Sequence, residues 1–241
     1  MKDNLITASV FLILLTGISK ITGFIREMVL AYFYGASAMT DAYITATTVV
    51  TIFIGGITSA TALAYIPRAT AARVKNQDVS YMTSNLMTAC AVLILIISII
   101  AMFFSRELTK LFAMGFDEQT LTLAAGMTFL ILPFCFVYAM NNIMVGYLQS
   151  INSFWFIGLS AILSNIVIIF FITVSSMHAC ILALGFACSW VIPAVWAFFL
   201  IRKKGLHYSP IINVQDSTLR AIIISSIPIF FGQLVLQLNT L

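Results

Sequence analysis

Long, unbroken apolar runs recur along this chain, and they constrain its fold more than any other feature. They cover residues 5–33, 41–66, 81–104, 121–149, 154–174 and 179–201, and a further run opens near 221. A helix that crosses the hydrocarbon core of a bilayer needs about 20 apolar residues, and each run approaches or exceeds that length. Of the residues, 61% are hydrophobic and only 8% charged, whereas a soluble domain carries roughly 25% charged residues. A soluble surface cannot be assembled from so few charges. Strands of a membrane barrel alternate apolar and polar positions over about ten residues, which these runs do not. The predicted fold is an all-α, polytopic transmembrane bundle of about six complete spans plus the start of a seventh.

The connections supply the orientation. With a cytoplasmic N-terminus, that side holds Lys2, Arg68, Arg73, Lys75, Arg202, Lys203, Lys204 and Arg220, and the opposite side holds Arg106 and Lys110, eight cations against two. That bias is the positive-inside pattern, and it accounts for the net charge of +4 without any nucleic-acid partner. Residues 34–41 read as a short turn, 105–120 as a mixed-charge segment suited to a short interfacial helix, and Pro67 as the end of the second span. Pro133 and Pro193 fall inside spans, where proline kinks a helix. The first run has no small-residue cleavage site behind it, so the first span is expected to be retained. Cys90, Cys135, Cys180 and Cys188 lie scattered in apolar runs without metal-ligand spacing, and His178 and His207 stand alone in connections. The chain stops while the seventh run is still apolar, which predicts the N-terminal part of a longer protein: a lobe over 1–219 and the start of a seventh helix over 220–241.

The first span breaks the apolar pattern. "SKITGFIREM", residues 19–28, places a lysine, an arginine and a glutamate inside it. At about 100° per residue, Thr16, Ser19, Lys20, Gly23, Arg26 and Glu27 fall within one arc of roughly 120°. Ile21, Phe24, Ile25, Met28 and Val29 back that arc with an apolar face. Lys20 lies about 22 Å of helix beyond Leu5, too deep for a snorkelling anchor. Two readings stand. The charges could form an intrahelical ion pair, or the net-positive stripe could line a wet cavity that receives an anion. Gly23 leaves room at its centre. Asp41 at the head of the second span is either a gate partner for Arg26 or an ordinary helix N-cap. Asn141 and Asn142 in the fourth span are either interhelical glue or candidate cavity lining.

The stretch "SKITGFIREMVLAYFYGASAMTDAY" resembles the MurJ/MviN family of lipid II flippases in the MOP transporter superfamily. The resemblance rests on Ser19, Lys20, Gly23, Phe24, Arg26 and Glu27, then Tyr34, Gly35 and Ala36, then Thr40, Asp41, Ala42 and Tyr43. Further matches are "YIP" at 65–67, Leu148, Gln149, Asn152, Phe154 and Asn165 around the turn between the fourth and fifth spans, and Pro228, Gly232 and Gln237 in the seventh. The resemblance implies one lobe of a two-lobed, fourteen-helix transporter, in a bacterial cytoplasmic membrane. It implies translocation of an undecaprenyl-pyrophosphate-linked peptidoglycan precursor by alternating access, with no enzymatic step. Ser19, Lys20, Gly23, Arg26 and Glu27 then inherit the substrate-binding face and Asp41 a gate position. The partners implied are the lipid-linked saccharide, the membrane lipids and the second lobe of the same protein. No cofactor or metal is implied, and coupling to membrane potential or a monovalent ion is not legible in these residues. Two departures matter. Many members carry arginine at the position of Lys20, and a lysine lacks the bidentate fork. Many also carry arginines in the second helix, where this chain has none between Asp41 and Pro67. These departures keep open a flippase for another lipid-linked oligosaccharide. A non-transporting scaffold is the reading from a different class, and it explains the stripe poorly.

Overall fold

A computed structural model of the chain describes residues 2–176 and 178–238; the last three residues of the expected seventh span lie outside it. Among the described residues there are eight helices and no strands. They are α1 (Lys2–Tyr34), α2 (Ala38–Val74), α3 (Ser80–Phe103), α4 (Ser105–Lys110), α5 (Glu118–Ser150), α6 (Trp155–Val174), α7 (Ala179–Lys203) and α8 (Ser217–Leu238). Helices α2, α3, α5, α6 and α7 are long and apolar enough to cross a membrane. The all-α membrane bundle is thus as expected, with five clear candidate spans; α1, 33 residues long, and α8 pack with them.

The order of packing follows from pairs of small and large residues. Helix α1 lies along α6, and the contacts run in one direction: Leu15 meets Gly158, Gly23 meets Asn165, and Tyr34 hydrogen-bonds Ser175. The two helices are therefore parallel, as first and fifth spans must be. A Cβ on Gly158 would stand 2.6 Å from the Leu15 Cβ, and one on Gly185 would stand 2.3 Å from the Phe171 Cβ. Without side chains at those points α6 packs closely against both α1 and α7. Such fit matters in lipid, where helices associate by dispersion and hydrogen bonding rather than by escape from water.

Helix α5 is the centre of the lobe and is broken near its middle. Pro133 turns Leu132–Phe134 into a single 3-10 turn, because its ring cannot donate to the preceding turn and clashes with it. Helix α2 is irregular too: Thr51–Gly55 form a π turn. The N-terminal halves of these two helices, Ala38–Val50 and Glu118–Ile131, pack together, and so do their C-terminal halves, Gly56–Val74 and Cys135–Ser150. The buried core is divided accordingly. One cluster gathers around Tyr43, Met127, Ile131 and Leu182. The other gathers around Tyr65, Tyr147, Phe156 and Ile201.

One expected boundary is corrected. Pro67 does not end the second span; the helix runs on to Val74. The ring of Pro67 is exposed and strands the carbonyl of Leu63 one turn back; around it Arg68 donates from Nη1 to Ala64 O at 3.1 Å and Thr70 from its hydroxyl to Ile66 O at 2.9 Å. Proline inside a spanning helix is compatible with continuation because the rest of the backbone can be satisfied only as helix. Pro193 likewise lies inside an uninterrupted α7. The mixed-charge segment after the third span does contain a short helix, α4, joined to α5 by an Arg106–Glu118 ion pair.

Candidate functional site

The charged segment of α1 folds as a helix because in a span only helix satisfies the backbone, whatever the modest propensities of Thr22, Gly23 and Phe24, and its next stop is Gly35, whose φ of 59° only glycine adopts freely. Helical spacing then fixes which charges meet. Arg26 and Glu27 are chain neighbours, yet their long side chains converge, with Arg26 Nη2 2.5 Å from Glu27 Oε1 and Nε donating to the same oxygen at 3.1 Å. The guanidinium also donates from Nη1 to Asn165 Oδ1 on α6 at 3.2 Å.

Asn165 organises the segment from outside it. Its Nδ2 donates to Ser19 O at 3.2 Å and to Thr22 Oγ1 at 3.1 Å, while its Oδ1 accepts from Arg26. The amide lies 3.6 Å from where a Cβ on Gly23 would stand. The room that Gly23 leaves on the stripe is thus occupied by the Asn165 side chain. The stripe divides in two. Ser19, Gly23 and Arg26 are half-buried toward α6, while Thr16, Lys20 and Glu27 are exposed along its open flank. Ile21, Phe24, Ile25 and Met28 are exposed on the other side, as the helical wheel predicts.

Of the two readings of the stripe, the ion pair has a direct counterpart. An ion pair forms, but between Arg26 and Glu27; Lys20 forms no ion pair among the described residues. The pair is partly open, at 32% and 54% side-chain exposure. Of the five guanidinium N–H groups, three are engaged here. Lys20 adds a second positive charge on the same flank.

Asp41 is exposed in the first turn of α2, and among the described residues it makes no ion pair with Arg26. The helix is capped by Ser37, whose hydroxyl accepts from Thr40 N, so Asp41 is not the N-cap. Asn142 joins α5 to α2: its Nδ2 donates to Tyr138 O at 3.0 Å and to Thr58 Oγ1 at 3.4 Å, and Thr58 in turn donates to Gly55 O at 3.2 Å. Asn141 is half-buried, and its Oδ1 is buried without a hydrogen-bond partner among the described residues. No cluster of three or more metal-ligating side chains occurs among the described residues.

Comparison with known proteins resolves what this lobe is. A family model described as lipid II flippase MurJ matches residues 30–241. The chain belongs to the MurJ family. Among relatives, the probable lipid II flippase MurJ of Buchnera aphidicola subsp. Baizongia pistaciae is 28% identical over 70% of this chain and 34% of its own length. That of Treponema pallidum is 27% identical over 100% of this chain and 48% of its own length. A solved lipid II flippase MurJ in an inward closed conformation superposes with a TM-score of 0.71 at 23% identity, over 96% of this chain and 49% of that one. An outward-facing multidrug resistance MATE family transporter of the MOP superfamily also gives 0.71, at 18% identity, over 94% of this chain and 52% of its own. The chain thus spans from about a third to about half of the length of the proteins it matches, and it has the fold of one half of a MOP-type transporter. It is a multi-pass membrane protein. The charged segment at 19–27 lies ahead of the residues that the family model covers, so its role rests on the geometry above and on the sequence resemblance.

Proposed function

We propose that this chain is the N-terminal lobe of a flippase that moves undecaprenyl-pyrophosphate-linked peptidoglycan precursor, lipid II, across the bacterial cytoplasmic membrane. Membership of the MurJ family carries this reading. The N-terminus lies in the cytoplasm, as the eight-to-two bias of cations indicates. The apolar tail of such a substrate stays in lipid, and only its head and pyrophosphate need a polar path. Lobes that rock about a central site provide that path without chemistry.

In this mechanism Arg26 and Lys20 attract the pyrophosphate, Ser19 and Gly23 belong to the same face, and Glu27 is the resident anion that the substrate displaces. Asn165 holds the guanidinium in place during the exchange, because its bond to Arg26 does not use the N–H groups that bind Glu27. When the substrate leaves, Glu27 reclaims Arg26 and the empty state is restored. Asp41 serves as a gate at the far mouth, pairing with Arg26 only in another conformation. The test is complementation of a flippase-depleted strain by the full-length protein. Arg26→Ala is expected to abolish growth at normal membrane levels, and Arg26→Lys to restore part of it. Normal growth with Arg26→Ala would refute the assignment.

A further inference from the structure

Two cavities away from the charged stripe share the seam between α2, α3 and α8. The first, of about 380 Å³, opens at the ends of these helices, and both signs of charge line it: Arg68 and Lys75 from α2, Asp78 ahead of α3, and Asp216 ahead of α8. The second, of about 130 Å³, is lined almost entirely by apolar groups, among them Ile57, Cys90, Leu93 and Ile223. It lies deeper along the same helices. Thr61 in its wall is seven residues before Arg68 and Ala89 is seven after Met82, while on α8 the two cavities adjoin at Thr218 and Leu219. At 1.5 Å per residue the offset on α2 and α3 is about 10 Å. A polar chamber at the helix ends, followed at that depth by an apolar slot, has the layout of one lipid molecule.

The charges in the chamber are not equivalent. Asp216 is committed to α8, accepting from Thr218 N and Leu219 N, and it also accepts from Asn85. Arg68 ties α2 to α8, donating from Nη2 to Ala221 O at 3.0 Å and to Ser225 Oγ at 2.8 Å, which fixes the width of the seam. Lys75 and Asp78 are exposed, and neither forms an ion pair among the described residues. Hydrogen bonds from Ser80 hold the Asp78 carboxyl below the usual carboxylate range, with His207 and Arg73 adding to the effect, so it is ionised at neutral pH. A purely anionic headgroup would be drawn by Lys75 and repelled by Asp78 and Asp216. A headgroup that carries its own ammonium satisfies both signs.

We propose that the α2–α3–α8 seam binds a membrane phospholipid with a zwitterionic phosphoethanolamine head, its phosphate at Lys75 and Arg68, its ammonium at Asp78, and one acyl chain in the apolar slot. Such a lipid would brace the start of α8 against α2 from the side. The readout is lipid retention and involves no transport. The full-length protein is reconstituted in vesicles of equimolar phosphatidylethanolamine and phosphatidylglycerol, extracted gently, and its retained lipid is counted by native mass spectrometry. A charge-assisted contact in the chamber corresponds to roughly a tenfold preference for phosphatidylethanolamine. Asp78→Asn should erase most of that preference while phosphatidylglycerol retention holds or rises. Lys75→Gln should lower retention of both lipids. Cys90→Phe fills the slot and should lower phosphatidylethanolamine retention several-fold. Lys75 and Asp78 are exposed, so their variants do not disturb the core. Equal retention of the two lipids by the unaltered protein would overturn the proposal, as would a preference for phosphatidylglycerol or retention indifferent to both Asp78→Asn and Cys90→Phe.

Discussion

The seam between α1 and α6 carries Arg26, Glu27 and Asn165; the middle of the seam between α2 and α5 carries only neutral groups, Asn142, Thr58 and the backbone of Tyr138, while Arg73 lies over the Tyr147 ring toward the end of that seam. Both are polar contacts inside a bundle built for lipid. They differ in access. Glu27 keeps 54% of its side chain exposed, whereas Thr58 is 3% exposed. A charge within the membrane persists only where it keeps a wet or ligand-accessible side, since burying it outright costs several kcal/mol. Neutral amides and hydroxyls can be sealed between helices. In the proposed function the open, charged seam is where a cargo anion is exchanged, and the closed, neutral middle of the α2–α5 seam is where the lobe holds together.

Variants that break one seam and spare the other test this division. The largest effect is expected from Gly158→Val. Its Cβ would stand 2.6 Å from the Leu15 Cβ, so α1 must move off α6, at a cost of about 1–3 kcal/mol. A lowered unfolding temperature in detergent, with complementation lost, is the expected result. Asn165→Leu removes three hydrogen bonds without changing any charge. Bonds of this kind average about 0.6 kcal/mol each in membranes, so a modest loss of stability should accompany a loss of transport of about tenfold or more. Transport would be read as flipped substrate per protein in vesicles; transport that falls only in step with stability would remove the special role of Asn165. Thr58→Val in the neutral seam should cost about 0.6 kcal/mol in unfolding assays and leave transport within about twofold. Smallest of all is Arg106→Gln. It breaks an exposed pair, at 47% and 74% side-chain exposure, so its effect on stability should stay below about 1 kcal/mol.

The sequence exposes the two sides of this comparison unequally. The stripe on α1 is legible because helical geometry alone puts Ser19, Lys20, Gly23, Arg26 and Glu27 on one arc, and the structure keeps them there. What fills the gap at Gly23 is not legible, because Asn165 lies 139 residues from Arg26 along the chain. It can be singled out only as a motif match, and a lone asparagine in an apolar span reads as glue. Asn142 reads the same way, and in this structure glue is what it provides. The close approach of Gly158 to Leu15 leaves no trace in a run that is apolar throughout. Pro67 misleads for a different reason. The rule that proline ends a helix weighs one lost donor and a ring clash, whereas within a span continuing the helix is the only way to satisfy the remaining backbone groups. The break at Pro133 is not distinguishable in the sequence from the unbroken helices around Pro67 and Pro193, since all three prolines remove a donor and crowd the preceding turn alike.

The π turn at Thr51–Gly55 bears on how lineages of this lobe can differ in length. A π turn closes on the fifth residue rather than the fourth, so it holds one residue more than an α turn of the same rise. Deleting a single residue between 51 and 55 would convert it to ordinary helix, and both halves of α2 could keep their partners on α5. The same deletion two turns to either side would rotate one half by about 100° and turn its buried face outward. Single-residue gaps between homologous chains are accordingly expected to collect at this one place in the second span.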